Sequence, residues 1–475
     1  MKTFHYRPKN AWFGDPIPFF WKGKHHIFYL YDVGHHSQPG GRHSWAHISS
    51  TDLIHWRKHK IAIPLGREGE VDSASCGTGS VFHLNNLFHL FYLGRYINTQ
   101  GQQRETICHA WSKDLVSWEK DSKNPVSIPQ PRLYTPDSWR DPFILWNEKD
   151  KEYWMLITAR LKHKPLPLSG CIALLKSKDL KNWRFSPPFW APGISISHEC
   201  PDLFFWNGWW YLIYSTSGGT FYRRSKKLCG DWISPPVDTL DSDFFYAGKT
   251  DFDGKRRFLF GWVSTLEGER DFSRRQWAGH MVIRELVQDA QGYLRTKLPA
   301  EFLNLAGKKC TLKWISLSGE WKISPETIVS GKNSGVSIVL SEKKPRDIYF
   351  SFRVFPEPGT RAVGLFVRTS SHLCTGYSIS LDLVRDQIIV RPGRQGLVGQ
   401  PVTIKYLPGV LSREKSFSLS GFFCGSLLDI FINEEFSLVV RAYDHTDNGF
   451  GLFVQEGKAV FKQIQVRAVK LDNVD

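Results

Sequence analysis

The chain of 475 residues carries 62 Lys and Arg against 46 Asp and Glu, a formal net charge of +16. That charge is spread along the whole length without a long basic run, which argues against a dedicated nucleic-acid surface. No run approaches the roughly 18 consecutive apolar residues of a transmembrane helix, so no membrane partner is expected.

Eight Cys stand at 76, 108, 171, 200, 229, 310, 374 and 424, and none forms a Cys-x-x-Cys pair. The chain is too long and too Cys-poor to read as a disulfide framework. Its start, MKTFHYRPKNAW, lacks the apolar core of a signal peptide. A reducing, cytoplasmic setting with free thiols is the expectation.

Taken in chain order, apolar strands are predicted at HHIFYLYD (25–32), LFHLFYLG (87–94), EYWMLITAR (152–160), WWYLIYST (209–216) and RRFLFGWV (256–263). Their aromatic and β-branched content, bounded by Gly, Asp, Asn and Pro, argues for β structure throughout. A phrase trails each of the first three: TDLIHW at 51–56, KDLVSW at 113–118 and KDLKNW at 178–183, with a looser KKLCGDW at 226–232. Asp52, Asp114 and Asp179 are spaced by 62 and 65 residues. Self-similarity at a fixed period marks a repeat architecture, and five such β-units read as a five-bladed β-propeller. In the repeated phrase the Asp is expected to cap a turn and the Trp to pack between strands or blades.

Seventeen of the 19 Trp precede residue 300, which places a boundary there. Residues 1–300 are therefore assigned to the propeller. LPAEFLNLAGK (298–308) suits a short connecting helix, within a linker over 301–312. From 313 to 475 the segments VSIVL, DIYFSFRVF, AVGLFVRT, YSISLDLV and LLDIFIN alternate between turns, the pattern of a β-sandwich. The fold class expected is all-β, a propeller followed by a C-terminal sandwich.

Three acids stand in similar company. Asp15 lies in WFGDPIPFF, Asp141 in SWRDPFILW and Glu199 in HECPDLF, each beside a Pro that opens an apolar strand. Equivalent positions in different blades converge on a propeller axis, which brings three carboxylates into one funnel. Clustered acids push one another's pKa values apart, as acid/base chemistry and glycoside hydrolysis require. Abundant Trp and Tyr offer stacking faces for sugar rings. A small carbohydrate is the partner this implies.

These phrases resemble glycoside hydrolase family 32, the invertase, inulinase and levanase family. Its Trp-Met-Asn-Asp-Pro corresponds to WFGDP at 12–16, which implies Asp15 as nucleophile with Trp12 beside the sugar. Its Arg-Asp-Pro corresponds to 140–142, implying that Asp141 and Arg140 hold the substrate in the transition state. Its Glu-Cys-Pro-Asp-Leu corresponds to 199–203, implying Glu199 as general acid/base. Further similarity runs through SWAHISSTDLIHW (44–56), CGTGSVF (76–82), FYAGKTDFDGKRRFLFGWV (245–263) and WAGHMVIREL (277–286), adding Trp45, Ser80, Tyr246 and Trp277 as substrate-binding residues. The resemblance implies a fructosidase that uses no cofactor and no metal.

The departures concern the sugar pocket. Gly14 replaces the family's Asn, Ile17 and Pro18 its Asn-Gly, Leu30 its Gln and His198 its Trp. Such losses alter discrimination more than reaction type. Plain sucrose is therefore expected to be a poor substrate, and a short fructo-oligosaccharide or a difructose anhydride a better one. DPIPFFWKGKHHIFYLYD is also similar to glycoside hydrolase family 43, whose members invert configuration; arabinofuranosides are the runner-up substrates. His35, His36, His43 and His47 follow no familiar zinc spacing, and Cys200 reads as a small residue packed behind Glu199.

Overall fold

The computed structural model describes residues 4–34, 41–341, 345–393 and 397–470. Five antiparallel blades follow one another before residue 300. Blade I comprises Trp12–Trp21, Lys24–Asp32, Ser44–Ser50 and Arg57–Lys58. Blade II runs from Ser75–Leu84 to Trp118–Lys120, and blade III from Tyr134–Asn147 to Arg184–Trp190. Blade IV has Glu199–Trp206, Trp209–Thr216 and Gly219–Ser225, while blade V runs from Phe245–Phe252 to Leu294–Lys297. The ring closes where Phe13 of blade I pairs with Gly279 of blade V.

The repeated phrase does what its residue types dictate. Asp52, Asp114 and Asp179 each accept two backbone N–H bonds, from Ile54 and His55, Val116 and Ser117, and Lys181 and Asn182. Such an Asp-centred turn satisfies donors that the strand end leaves free. The Leu of each copy takes a positive φ, 62°, 64° and 63°. Trp118 of blade II stands edge-on to Phe28 of blade I, and Trp183 of blade III edge-on to Phe91 of blade II. Each of these Trp residues therefore glues its blade to the preceding one.

Ala300–Leu305 forms the short helical connection, as a 3-10 turn. The second unit has two packed sheets. One is ordered Trp321–Ile323, Thr327–Ser330, Ala459–Val469, Ile348–Pro356, Phe417–Cys424, Leu427–Ile432, Phe436–Arg441; the other runs from Ile315–Ser318 to Thr403–Tyr406. A first strand, Ala306–Lys309, pairs with Ala459–Val469 inside the stretch read as linker. Its sequence, AGKK, has none of the apolar alternation that announces a strand.

The two units share one core. Phe244, Leu259, Val282 and Leu286 of the propeller pack in the same cluster as Leu428, Leu438 and Val440 of the sandwich. Across that joint Arg284 donates to Asp241 (2.7 Å) and in bidentate fashion to Asp429 (2.9 and 2.7 Å), all three side chains being at most 1 % exposed. Among the described residues no helix is long and apolar enough to cross a membrane.

Candidate active site

The inner strand of every blade loses its regular pairing at the same level. Register shifts fall between Phe13 and Pro16, Cys76 and Gly79, Glu199 and Asp202, and Tyr246 and Lys249; in blade III the break lies opposite Leu156 and Thr158. Asp141, Cys200 and Ala247 take positive φ there, 57°, 54° and 54°. A bulge re-aims side chains and bends the strand. Here the bulges turn Asp15, Thr78, Asp141, Glu199 and Tyr246 toward the axis, and the left-handed backbone of Asp141 is local strain.

Asp15, Arg140, Asp141, Glu199, Tyr246 and Trp277 line one axial pocket of about 670 Å³, its open mouth included. Leu30, His43, Ser75, Thr78, Leu93, Arg95 and Cys200 complete the wall. Asp15 is fixed at both oxygens: Thr78 Oγ1 donates to Oδ2 (2.5 Å) and Trp262 Nε1 to Oδ1 (2.7 Å). Asp141 accepts from Thr158 Oγ1 (3.1 Å) and from the Cys200 amide (3.0 Å) through one oxygen. Glu199 accepts from Arg140 Nη2 (2.7 Å) and from the Tyr246 hydroxyl.

The three carboxyls are poised differently. Burial raises Asp15 above the usual carboxylate range, with the Glu199 charge adding to it and the Thr78 and Trp262 bonds opposing it. Burial also raises Asp141, to about 6, against the pull of Arg140. For Glu199 burial pushes the same way, but the Arg140 charge and the Tyr246 and Arg140 hydrogen bonds outweigh it and hold the group below its ordinary value. Glu199 is therefore the most readily ionised of the three relative to its own reference, and Asp15 is pushed toward the protonated form.

Four residues named from sequence lie outside the pocket. Trp45 is wholly buried between blades, its indole N–H donating to the Gly77 carbonyl at 2.8 Å. Ser80 is buried and accepts the Ile144 amide. His198 packs between Trp190 and Tyr214, and its carbonyl shares the one Thr158 hydroxyl proton with Asp141, at 3.0 Å from Oγ1. Trp12 is half-buried under Arg7. Thr78 and Trp262 were not singled out: Thr78 sits two residues before Ser80 in the same motif, and the bulge between Cys76 and Gly79 decides which of them faces the acids.

Gly14 has a structural consequence. A Cβ there would stand 2.3 Å from Trp277 Cη2, so the indole occupies the space that a longer residue would need. Trp277 in turn stacks on His43, with ring centres 4.3 Å apart. His47 stacks on Phe28 and His59 away from the pocket, and His35 and His36 lie outside the described residues. Among the described residues no group of His, Cys, Asp and Glu is arranged to hold a metal ion. All eight Cys are free thiols.

A five-bladed propeller with three carboxylates converging on its axis, joined to a β-sandwich, defines a class of glycoside hydrolases. The family description "Glycosyl hydrolases family 32 N-terminal domain" matches residues 5–297, and the chain belongs to that family. It is 30% identical over 316 residues to the sucrose-6-phosphate hydrolase of Escherichia coli, covering 61% of this chain and 63% of that protein. It is 27% identical over 340 residues to the raffinose invertase of Escherichia coli, covering 66% of this chain and 68% of the relative. The match thus spans under two thirds of the first relative's length. In fold, the chain superposes on fructan 1-exohydrolase IIa of Cichorium intybus with a TM-score of 0.74 at 19% identity, over 99% of this chain and 98% of that one. The sucrose-6-phosphate hydrolase of Lactobacillus gasseri gives 0.74 at 17% identity, over 99% and 93%.

Proposed function

We propose that the chain is a retaining β-fructofuranosidase-type hydrolase that releases terminal fructosyl units from short fructosides. The observation that carries this reading is the convergence of Asp15, Asp141 and Glu199, from three blades, on one pocket. Asp15, oriented by Thr78 and Trp262, attacks the anomeric carbon while Glu199 gives its proton to the leaving oxygen. The Glu199 carboxylate then takes a proton from the water that cleaves the fructosyl ester. Asp141, held by Thr158 and the Cys200 amide, binds sugar hydroxyls and transfers no proton.

Retention requires the two reacting carboxyls about 5–5.5 Å apart, inversion roughly 6.5–9.5 Å. The anomer released in the first minutes of hydrolysis, read by NMR, tests the reading; an inverted product overturns it. Asp15→Asn and Glu199→Gln should each cut kcat by about 10²-fold or more, and a chain that keeps sugar affinity and turnover in both variants is not this enzyme.

The apolar part of the wall bears on the substrate. Leu30, Leu93 and the Trp277 ring seated over Gly14 present apolar surface. This supports poor use of sucrose and better use of a short fructo-oligosaccharide or a difructose anhydride. A second reading, a phosphorylated disaccharide, is favoured by Arg95: it lines the pocket and its buried Nε has no hydrogen-bond partner. A hydrolysis panel of sucrose, sucrose 6-phosphate, kestose, inulobiose, levanbiose, difructose anhydrides and aryl arabinofuranosides separates these. Sucrose turnover at a kcat/KM of about 10⁴ M⁻¹s⁻¹ or more argues against the altered pocket, and activity on arabinofuranosides alone argues against the fructosidase.

A further inference from the structure

Glu105 lies on the third strand of blade II, is 2 % exposed and does not line the pocket. Its Oε1 accepts from Arg95 Nη2 at 2.8 Å. Its Oε2 accepts from the Trp139 amide at 2.9 Å and from Arg140 Nη1 at 3.4 Å. Arg140 passes on to blade IV: Nη2 donates to Glu199, while Nε stands 4.0 Å from Asp141. An unbroken chain of alternating charge therefore runs Arg95, Glu105, Arg140, Glu199 across three blades. A buried carboxylate with three donors is costly unless each is in place, so its position between the two guanidiniums is well determined.

We propose that Glu105 is a positioning residue of the hydrolytic site: it anchors the Arg140 guanidinium and shares its charge, so that Glu199 can carry the proton that the leaving group takes. The proposal rests on the functional reading above. The groups facing Glu199 are Arg140 and Asp141 from one neighbouring strand, Tyr246 from another, Asp15 from blade I and Arg160 from the strand behind. Two of these, Arg140 and Arg160, are cations that favour the ionised acid. Glu105 offsets the nearer one. Without its negative charge the Arg140 cation, then shared only with Asp141, acts more strongly on Glu199. The change acts toward a Glu199 that has already given up its proton.

The test compares leaving groups. A fructoside with an alcohol leaving group needs the proton; an aryl fructofuranoside with a low-pKa phenol does not. Glu105→Gln keeps the size and still accepts the Trp139 amide. Its kcat/KM should fall about tenfold or more on the alcohol fructoside, the fraction lost per unit shift of the acid, and less than about threefold on the aryl one. Glu105→Asp, which restores the charge, should recover much of the difference. A folded Glu105→Gln variant that loses both activities equally, or neither, overturns the proposal while leaving the fructosidase reading intact. A wild-type chain inactive on both substrates overturns that reading and the proposal with it. If the single variant does not fold, the double variant Glu105→Gln with Arg95→Met, which removes the guanidinium on Oε1 and leaves Arg140 alone facing the amide, is read by the same ratio.

Discussion

Glu199 is held between a cation and a phenol, and that pair of contacts sets its chemistry. Tyr246 donates to the oxygen that Arg140 does not touch, so both lone-pair directions favour the carboxylate. In the function proposed above Glu199 must hold its proton as general acid, so the productive form is scarce once pH exceeds the range of the coupled carboxyls. Activity should therefore lie on the acid side of neutrality. Tyr246→Phe removes one of the two contacts and should raise the proton affinity of Glu199. The alkaline limb of kcat/KM then moves to higher pH by roughly one unit, whatever the loss in absolute rate. A limb that stays in place or moves to lower pH shows that Tyr246 does not hold Glu199 ionised. The three acids were legible in the sequence because each sits in a short phrase with Pro at a strand start. Their partners were not: Trp262 grips Asp15 from 247 residues away, a proximity created only by ring closure.

At the level of the blade, the repeated turn phrase was legible because its period is fixed and its residue types have one mechanical use. Which face of an inner strand meets the pocket was not, because a bulge breaks the alternation on which such a reading depends. Ser80 fell on the wrong side of that break. The blades also share a device that spacing did not announce. His26 Nδ1 meets His47 Nε2 at 3.0 Å between strands two and three of blade I, and His89 Nδ1 meets His109 Nε2 at 3.0 Å at the same place in blade II. Burial lowers His26 to about 4, His47 to about 2 and His89 to about 4, with neighbouring cations and imidazoles adding to it. In blade I the charged and titratable groups that lower the pair further are His25, His59 and Lys24. These groups bind protons more readily unfolded, near the ordinary 6.5, than folded. Their contribution to stability is complete above about pH 6.5 and is lost as pH falls toward 4. The melting temperature should fall across that window. His26→Asn combined with His47→Gln keeps a hydrogen bond without the titration, so the acid branch of Tm against pH should flatten; an unchanged slope places the acid sensitivity elsewhere.

On the scale of the whole molecule, the change in texture near residue 300 made two units legible, yet nothing in it announced how firmly they are joined. Asp241 and Asp429, 188 residues apart in sequence (429 − 241), meet one guanidinium in a joint that excludes water. Asp241 also accepts from Ser437 Oγ (2.5 Å) and the Val439 amide (2.8 Å) of the sandwich, and the Lys405 ammonium reaches its backbone carbonyl at 2.9 Å. Arg441 of the sandwich returns the contact, donating to the carbonyls of Ser264 (2.8 Å) and Val263 (3.1 Å). The Asp429 carboxyl is already raised by burial to about 7 even with Arg284 beside it. Arg284→Met removes the cation and leaves two buried carboxyls facing an apolar side chain. Breaking such a pair from one side costs about 3–5 kcal/mol. Because the joint is also part of the shared core, the loss falls on the coupling between the units. The wild-type chain should unfold in urea as one transition followed by both Trp fluorescence, which reports almost wholly on the propeller, and far-ultraviolet circular dichroism. In Arg284→Met the fluorescence midpoint should separate from the dichroism midpoint. Adding Asp241→Asn and Asp429→Asn removes the stranded charges and should recover much of the lost stability. Coincident and unshifted midpoints in Arg284→Met show that the apolar core alone couples the two units.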